Sequence, residues 1–141
     1  MNPIYFAIMA AASWGLWTVF HKSASAYINA IVGAIIVSSV AMITGFIMLV
    51  PKYKHIELFS SWKGILFVVL AGVMAFFLDY FTLSAFNKGL PVSIGGPIII
   101  GGSVVVATII GFLLGESFTL LKIAALILVM GGAAILAYLS K

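Results

Sequence analysis

The chain has no cysteine, no arginine and only three acidic residues among 141 positions. Without cysteine there is no disulfide framework and no thiol chemistry. His21 and His55 are the only histidines, and neither an HExxH pattern nor a cysteine pair accompanies them, so no metal site and no cofactor are expected. Gly115-Glu116-Ser117 does not make a nucleophile elbow, and the glycines near Pro97 do not make a phosphate loop. No enzyme is expected. Charged residues make up 7% of the chain, against about 25% in soluble domains. That deficit excludes a soluble globular domain. The net charge of +4 comes entirely from lysines spread over the loops. They suit anionic lipid headgroups, and nucleic acid is not an expected partner.

What is present is apolar sequence: 65% of residues are hydrophobic and the mean hydropathy is +1.32. It falls into five runs at about 3–20, 28–50, 64–86, 92–114 and 120–139. Each is close to the ~20 residues that cross ~30 Å of hydrocarbon. Continuous runs favour helices, since barrel strands alternate. The expected fold is therefore an all-α integral membrane domain of five transmembrane helices occupying 1–141. Pro91 before the fourth run and Gly115 after it are ordinary helix punctuation. The first run is expected to be retained as a span: no lysine or arginine precedes it, and His21-Lys22 interrupts it before the small residues at 23–26. The sizeable loop, 51–63, carries Lys52, Lys54, His55, Glu57 and Lys63 with Tyr53 and Trp62, and reads as an interfacial connector. The remaining loops are short, so consecutive helices are expected to be antiparallel neighbours.

Asp79 is the acidic residue placed well inside a run. It precedes Asn87 by eight residues, roughly 12 Å of helix. A carboxylate at the centre of a bilayer costs about 2.5–3.5 kcal/mol on insertion scales, and such groups mark ion or substrate paths or pair with one another. Asp79 and its neighbour Tyr80, with Asn87 at the end of the run, are candidates for polar contact or proton coupling. The competing reading is a structural pair with Lys22, Lys88 or a backbone donor; otherwise both lysines reach for headgroups.

Trp14, Trp17 and His21 are spaced i, i+3 and i+7, one helical face, with Ser13 and Thr18 beside them. Such a stripe can line a cavity for a flat or cationic solute, or it can belong to an interfacial aromatic belt. Pro97, between the pairs Gly95-Gly96 and Gly101-Gly102, is expected to kink or unwind the fourth span, as interrupted transporter helices do beside their sites. Gly111 and Gly115 form a GxxxG, and Gly131-Gly132 a small-residue patch; either suits close helix packing or a dimer seam.

Five spans put the termini on opposite faces. Lys52, Lys54, Lys63 and Lys122 then share the N-terminal side, and Lys22, Lys88 and Lys141 the other. Orientation follows this bias, and four against three is almost none. Insertion in both orientations and antiparallel pairing is one expectation; a single orientation with a cytoplasmic N-terminus is the other.

Segment 83–137 resembles one half of an EamA-type transporter of the drug/metabolite superfamily. The resemblance is carried by Ala85-Phe86-Asn87-Lys88-Gly89, the proline-bearing fourth span, Gly111-Phe112-Leu113-Leu114-Gly115-Glu116 and the glycine-paired last span. Ala12-Ser13-Trp14-Gly15 through Lys22-Ser23-Ala24 is similar to that family's first helix. The resemblance implies a five-span half completed by an antiparallel, dual-topology homodimer. It also implies a multi-pass protein of a cell membrane, the prokaryotic inner membrane. The chain is more distantly similar to small multidrug resistance proteins, including Met1-Asn2-Pro3. Where they carry a first-helix glutamate, Ser13 and Trp14 stand here.

The expectation is a secondary transporter of small molecules, with a cavity lined by spans one, three and four and access alternating within a homodimer. The alternative is a non-transporting membrane subunit supporting a partner protein, with Asp79 as a structural pin.

Overall fold

The computed structural model describes residues 3–53, 61–115, 117 and 119–139. Lys54, His55, Glu57, Glu116, Lys141 and the opening Met1-Asn2 lie outside the described residues. Five helices follow in order: α1 Pro3–Ser25, α2 Ala30–Leu49, α3 Trp62–Asn87, α4 Val92–Leu113 and α5 Leu120–Tyr138. All five are long and apolar enough to cross a membrane, and no strand occurs among the described residues.

Local chemistry sets the ends. Asn29 caps α2, its side chain accepting from Ile31 N at 3.0 Å, and Thr119 caps α5 by accepting from Lys122 N at 3.3 Å. α3 ends in a Schellman motif: Gly89 takes φ +95°, its N–H donates to Phe86 O, and Leu90 N–H reaches back to Ala85 O. Gly115, at φ +86°, ends α4 in the same left-handed conformation. α1 runs beyond the expected boundary at residue 20. His21 and Lys22 do not stop it, because both find partners on α3.

Pro97 does not interrupt α4, which is helical from Val92 through Leu113. The expected unwinding is corrected for a local reason. The proline lies in the second turn and removes one hydrogen bond, the one that would go to Ser93 O. The first turn is held independently by Ile94 and Gly95 donating to Pro91 O at 3.1 and 2.8 Å.

α3 is the hub, packing on α1, α2 and α4, while α5 packs on α4. α1 lies against α3 and α4, with a cleft between it and its sequence neighbour α2. Close approach is built on glycine. A Cβ on Gly33 would meet Leu83, one on Gly95 would meet Phe86, and one on Gly101 would stand 2.9 Å from Ala133 Cβ. The expected glycines behave differently: Gly111 is buried, Gly115 is a helix end, and a Cβ on Gly131 or Gly132 would meet nothing within 4 Å among the described residues. Ala133 Cβ cannot rotate away, so Gly101→Val should cost about 1–3 kcal/mol. Gly102→Ala, which meets nothing within 4 Å, should cost little. Thermal unfolding in detergent compares the two.

The interior is unusual in being largely polar. Thr18, His21, Ser25, Asp79 and Thr82 are buried, whereas Leu83 and Phe86 are the large apolar side chains fully enclosed among the described residues. Lipid solvates apolar surface as well as a core does, so burial is no longer reserved for leucine and isoleucine. Most of these positions gather where the C-terminal parts of α1 and α3 meet the N-terminal parts of α2 and α4.

Candidate functional site

The aromatic stripe of α1 forms a ladder. Ring centroids are 5.2 Å apart from Trp14 to Trp17 and 3.9 Å apart from Trp17 to His21. The ladder ends on α3, where Asp79 Oδ1 lies 3.1 Å from His21 Nε2. The other ring nitrogen, Nδ1, lies 3.0 Å from Trp17 O, one turn back. His21 is 4% exposed and Asp79 6%, so each must be satisfied by the other rather than by solvent.

Asp79 thus has a different partner from the lysines expected. The Lys22 side chain, one residue further along α1, turns to the end of α3: Nζ donates to Phe86 O at 3.3 Å and sits 5.8 Å over the Phe86 ring. A cation on a C-terminal carbonyl is favourable to the helix dipole, which explains why Lys22 is half-buried rather than extended to the headgroups. Lys88 is exposed.

Between α1 and α2 lies an open, apolar cleft of about 590 Å³. Trp17, Phe20 and His21 form its α1 wall, Gly33, Val37 and Ala41 much of its α2 wall, and Leu83 of α3 closes it from behind. From Ser13 to Ala24 it follows α1 for about 16 Å, half of a ~30 Å hydrocarbon core. A cavity had been expected among the first, third and fourth helices. This cleft lies instead between the first and second, with Leu83 of the third behind it; the α2 residues lining it are apolar, so nothing in its composition distinguishes a cleft wall from a lipid-facing surface.

The expected pathway residues are only partly brought together. Trp17 and His21 line the cleft, while Trp14 and Asp79 adjoin it through the ladder. Pro97 instead faces a groove of about 440 Å³ bordered by α1, α4 and α5. Tyr80 and Asn87 face a third, more polar pocket beside α2 and Lys88. Asn87 also acts as a tie: with the amide turned to place nitrogen against acceptors, it donates to Ser25 O at 2.6 Å and Leu83 O at 3.1 Å. Trp14 keeps one unsatisfied donor: its buried indole Nε1 has no hydrogen-bond partner among the described residues.

The positions that composition did not single out are the α2 wall at Gly33, Val37 and Ala41, and the buried hydroxyls Ser25 and Thr82. The signal available for the wall was spacing: Gly33, Val37 and Ala41 recur every four residues on one helical face.

Five apolar helices around a buried histidine–carboxylate pair, with a cleft open at bilayer depth, define a multi-pass membrane protein with a polar interior. The model of the EamA-like transporter family matches residues 1–138, and the chain belongs to that family. It is a membrane transporter of the drug/metabolite type. No curated protein and no solved structure matches the chain.

Proposed function

We propose that the chain acts as a secondary transporter of small molecules in a cell membrane, completed by a second, oppositely inserted copy. The α1/α2 cleft and the Trp14–Trp17–His21 ladder form the substrate pathway, and Asp79 is the proton-coupling group. The observation that carries this reading is the ladder itself. A spanning helix invests two tryptophans and a histidine in reaching a buried carboxylate beside a cleft. Tyr80, Asn87 and Pro97 belong to the wider chamber that two copies would enclose, alternating its access by rocking. Gly131 and Gly132, where an added Cβ would meet nothing within 4 Å among the described residues, suit the seam between copies.

The unpartnered Trp14 Nε1 supports a role in substrate binding. An orphaned donor costs about 1–3 kcal/mol, while a made hydrogen bond contributes about 0.5–1.5 kcal/mol. Trp14→Phe removes the N–H together with part of the ring system, so relief of the orphaned donor is set against lost packing on Trp17, while KM for uptake should rise about 2- to 10-fold. Uptake kinetics set beside an unfolding curve check both; unchanged KM would remove Trp14 from the pathway.

The pairing of copies is tested by labelling a C-terminal tag on intact cells and on permeabilised ones. Opposite insertion predicts labelling from both faces, and labelling from one face alone contradicts it. One observation favours the alternative of a non-transporting subunit: His21 and Asp79 satisfy each other, as a structural pin would. Uptake by Asp79→Asn separates these. Unchanged uptake and unchanged pH dependence would make Asp79 a pin.

A further inference from the structure

We infer that His21 and Asp79 are one proton-binding site, holding a single hydrogen between Nε2 and Oδ1, and that this hydrogen is also the bond joining α1 to α3. The inference deepens the proton coupling proposed above and rests on that reading for its role in transport, but not for its chemistry.

The argument is a count of hydrogens. Nδ1 faces Trp17 O at 3.0 Å; a carbonyl only accepts, so Nδ1 carries a hydrogen. Nε2 faces Asp79 Oδ1 at 3.1 Å, and a hydrogen must lie between these atoms too, or two lone pairs face each other. It belongs to an imidazolium beside a carboxylate or to an imidazole beside a carboxylic acid. Both forms have the same composition and no net charge. Removing one leaves a neutral ring, an ionised carboxylate and a net charge of −1, and the single ring hydrogen that remains can serve Trp17 O or Asp79 Oδ1 but not both. In a site this dry the charged state is costly. Proton release therefore breaks one of the two contacts that hold the His21 ring, to Trp17 on its own helix or to Asp79 on α3.

Few other groups compete. On α1, Lys22 is engaged with Phe86 O. On α3, Tyr80 and Lys88 face the pocket on the α2 side. α2 and α4 carry no Asp, Glu, His, Lys or Tyr.

The same geometry assigns His21 a positioning role. Asp79 does not line the α1/α2 cleft, whereas the rings of His21 and Trp17 do. A solute in the cleft therefore meets the imidazole, not the carboxylate. It acts on the proton by moving His21, and proton loss in turn releases the ring that forms the cleft wall from one of its two partners.

The test uses the full chain carrying His55→Gln, so that His21 is the sole histidine, with ¹⁵N-labelled histidine in liposomes. Solid-state NMR follows both ring nitrogens across pH, and infrared spectroscopy follows the Asp79 carboxyl band. The expected result is one step: the pair loses a single hydrogen, leaving one on the ring and none on the carboxyl, and Asp79→Asn abolishes that step. Two steps separated in pH, one for the ring and one for the carboxyl, would overturn the shared site. The Asp79-containing titration needs no further substitution at the pair, so it stands even if Asp79→Asn does not fold. Uptake by the same vesicles reports separately: a single shared step with pH-insensitive uptake supports the site and overturns proton coupling.

Discussion

His21→Leu is expected to lower the free energy of unfolding by about 3–5 kcal/mol, the range for removing one partner of a buried ion pair. Adding Asp79→Leu should recover most of that loss. Leucine fills much of the space of the imidazole, so the effect is not mainly a cavity. What remains is a carboxylate at 6% exposure, without its histidine and inside a membrane span. The double variant removes that group too and leaves apolar side chains facing each other, an exchange that is often neutral or stabilising in buried pairs. The magnitude separates explanations. Ordinary interhelical hydrogen bonds in membranes average about 0.6 kcal/mol, so a loss of that size would mean the pair contributes no more than one such bond. Reversible unfolding in mixed detergent and lipid measures both variants.

Ala41→Trp should leave the fold intact and reduce uptake by roughly tenfold or more, equivalent to about 1.4 kcal/mol of lost binding or transition-state stabilisation. Ala41 lines the α2 side of the cleft and is exposed, so an indole there enters open space instead of displacing packed atoms. A tryptophan is large and rigid, and at this position it narrows the cleft from the α2 side. Uptake and thermal stability measured on one preparation give the answer. Full uptake with the indole in place would move the pathway elsewhere, first to the α1/α4/α5 groove containing Pro97.

Much of this architecture was legible in the apolar runs, because spanning a bilayer requires long uninterrupted helices whose backbone groups are satisfied internally. Their ends were less legible. His21 and Lys22 looked like the end of a span, yet α1 continues to Ser25. Their partners, Asp79 and the carbonyl of Phe86, come from a helix more than fifty residues away in sequence. Pro97 looked like a break but costs a single hydrogen bond in the second turn of α4. Asp79 stood out as a problem of solvation; its solution, His21, was named for a different role. A stripe on one helix can be read from spacing, but which neighbour it meets depends on how helices assemble. The cleft was hidden for a related reason. Gly33, Val37 and Ala41 are unremarkable in a lipid-facing helix and form a wall only because α1 leans on α3 and α4 and leaves α2 standing apart.

The central claim, that this chain alone forms a transporter, is tested most directly by uptake into liposomes containing no other protein. A pH gradient is imposed, and a panel of small metabolites, amino acids and amphipathic cations is offered. The account predicts saturable uptake of at least one class above empty vesicles, dependent on the gradient and lost in Ala41→Trp. Folded protein that moves none of them above the empty-vesicle rate would contradict it and leave the supporting-subunit reading in its place.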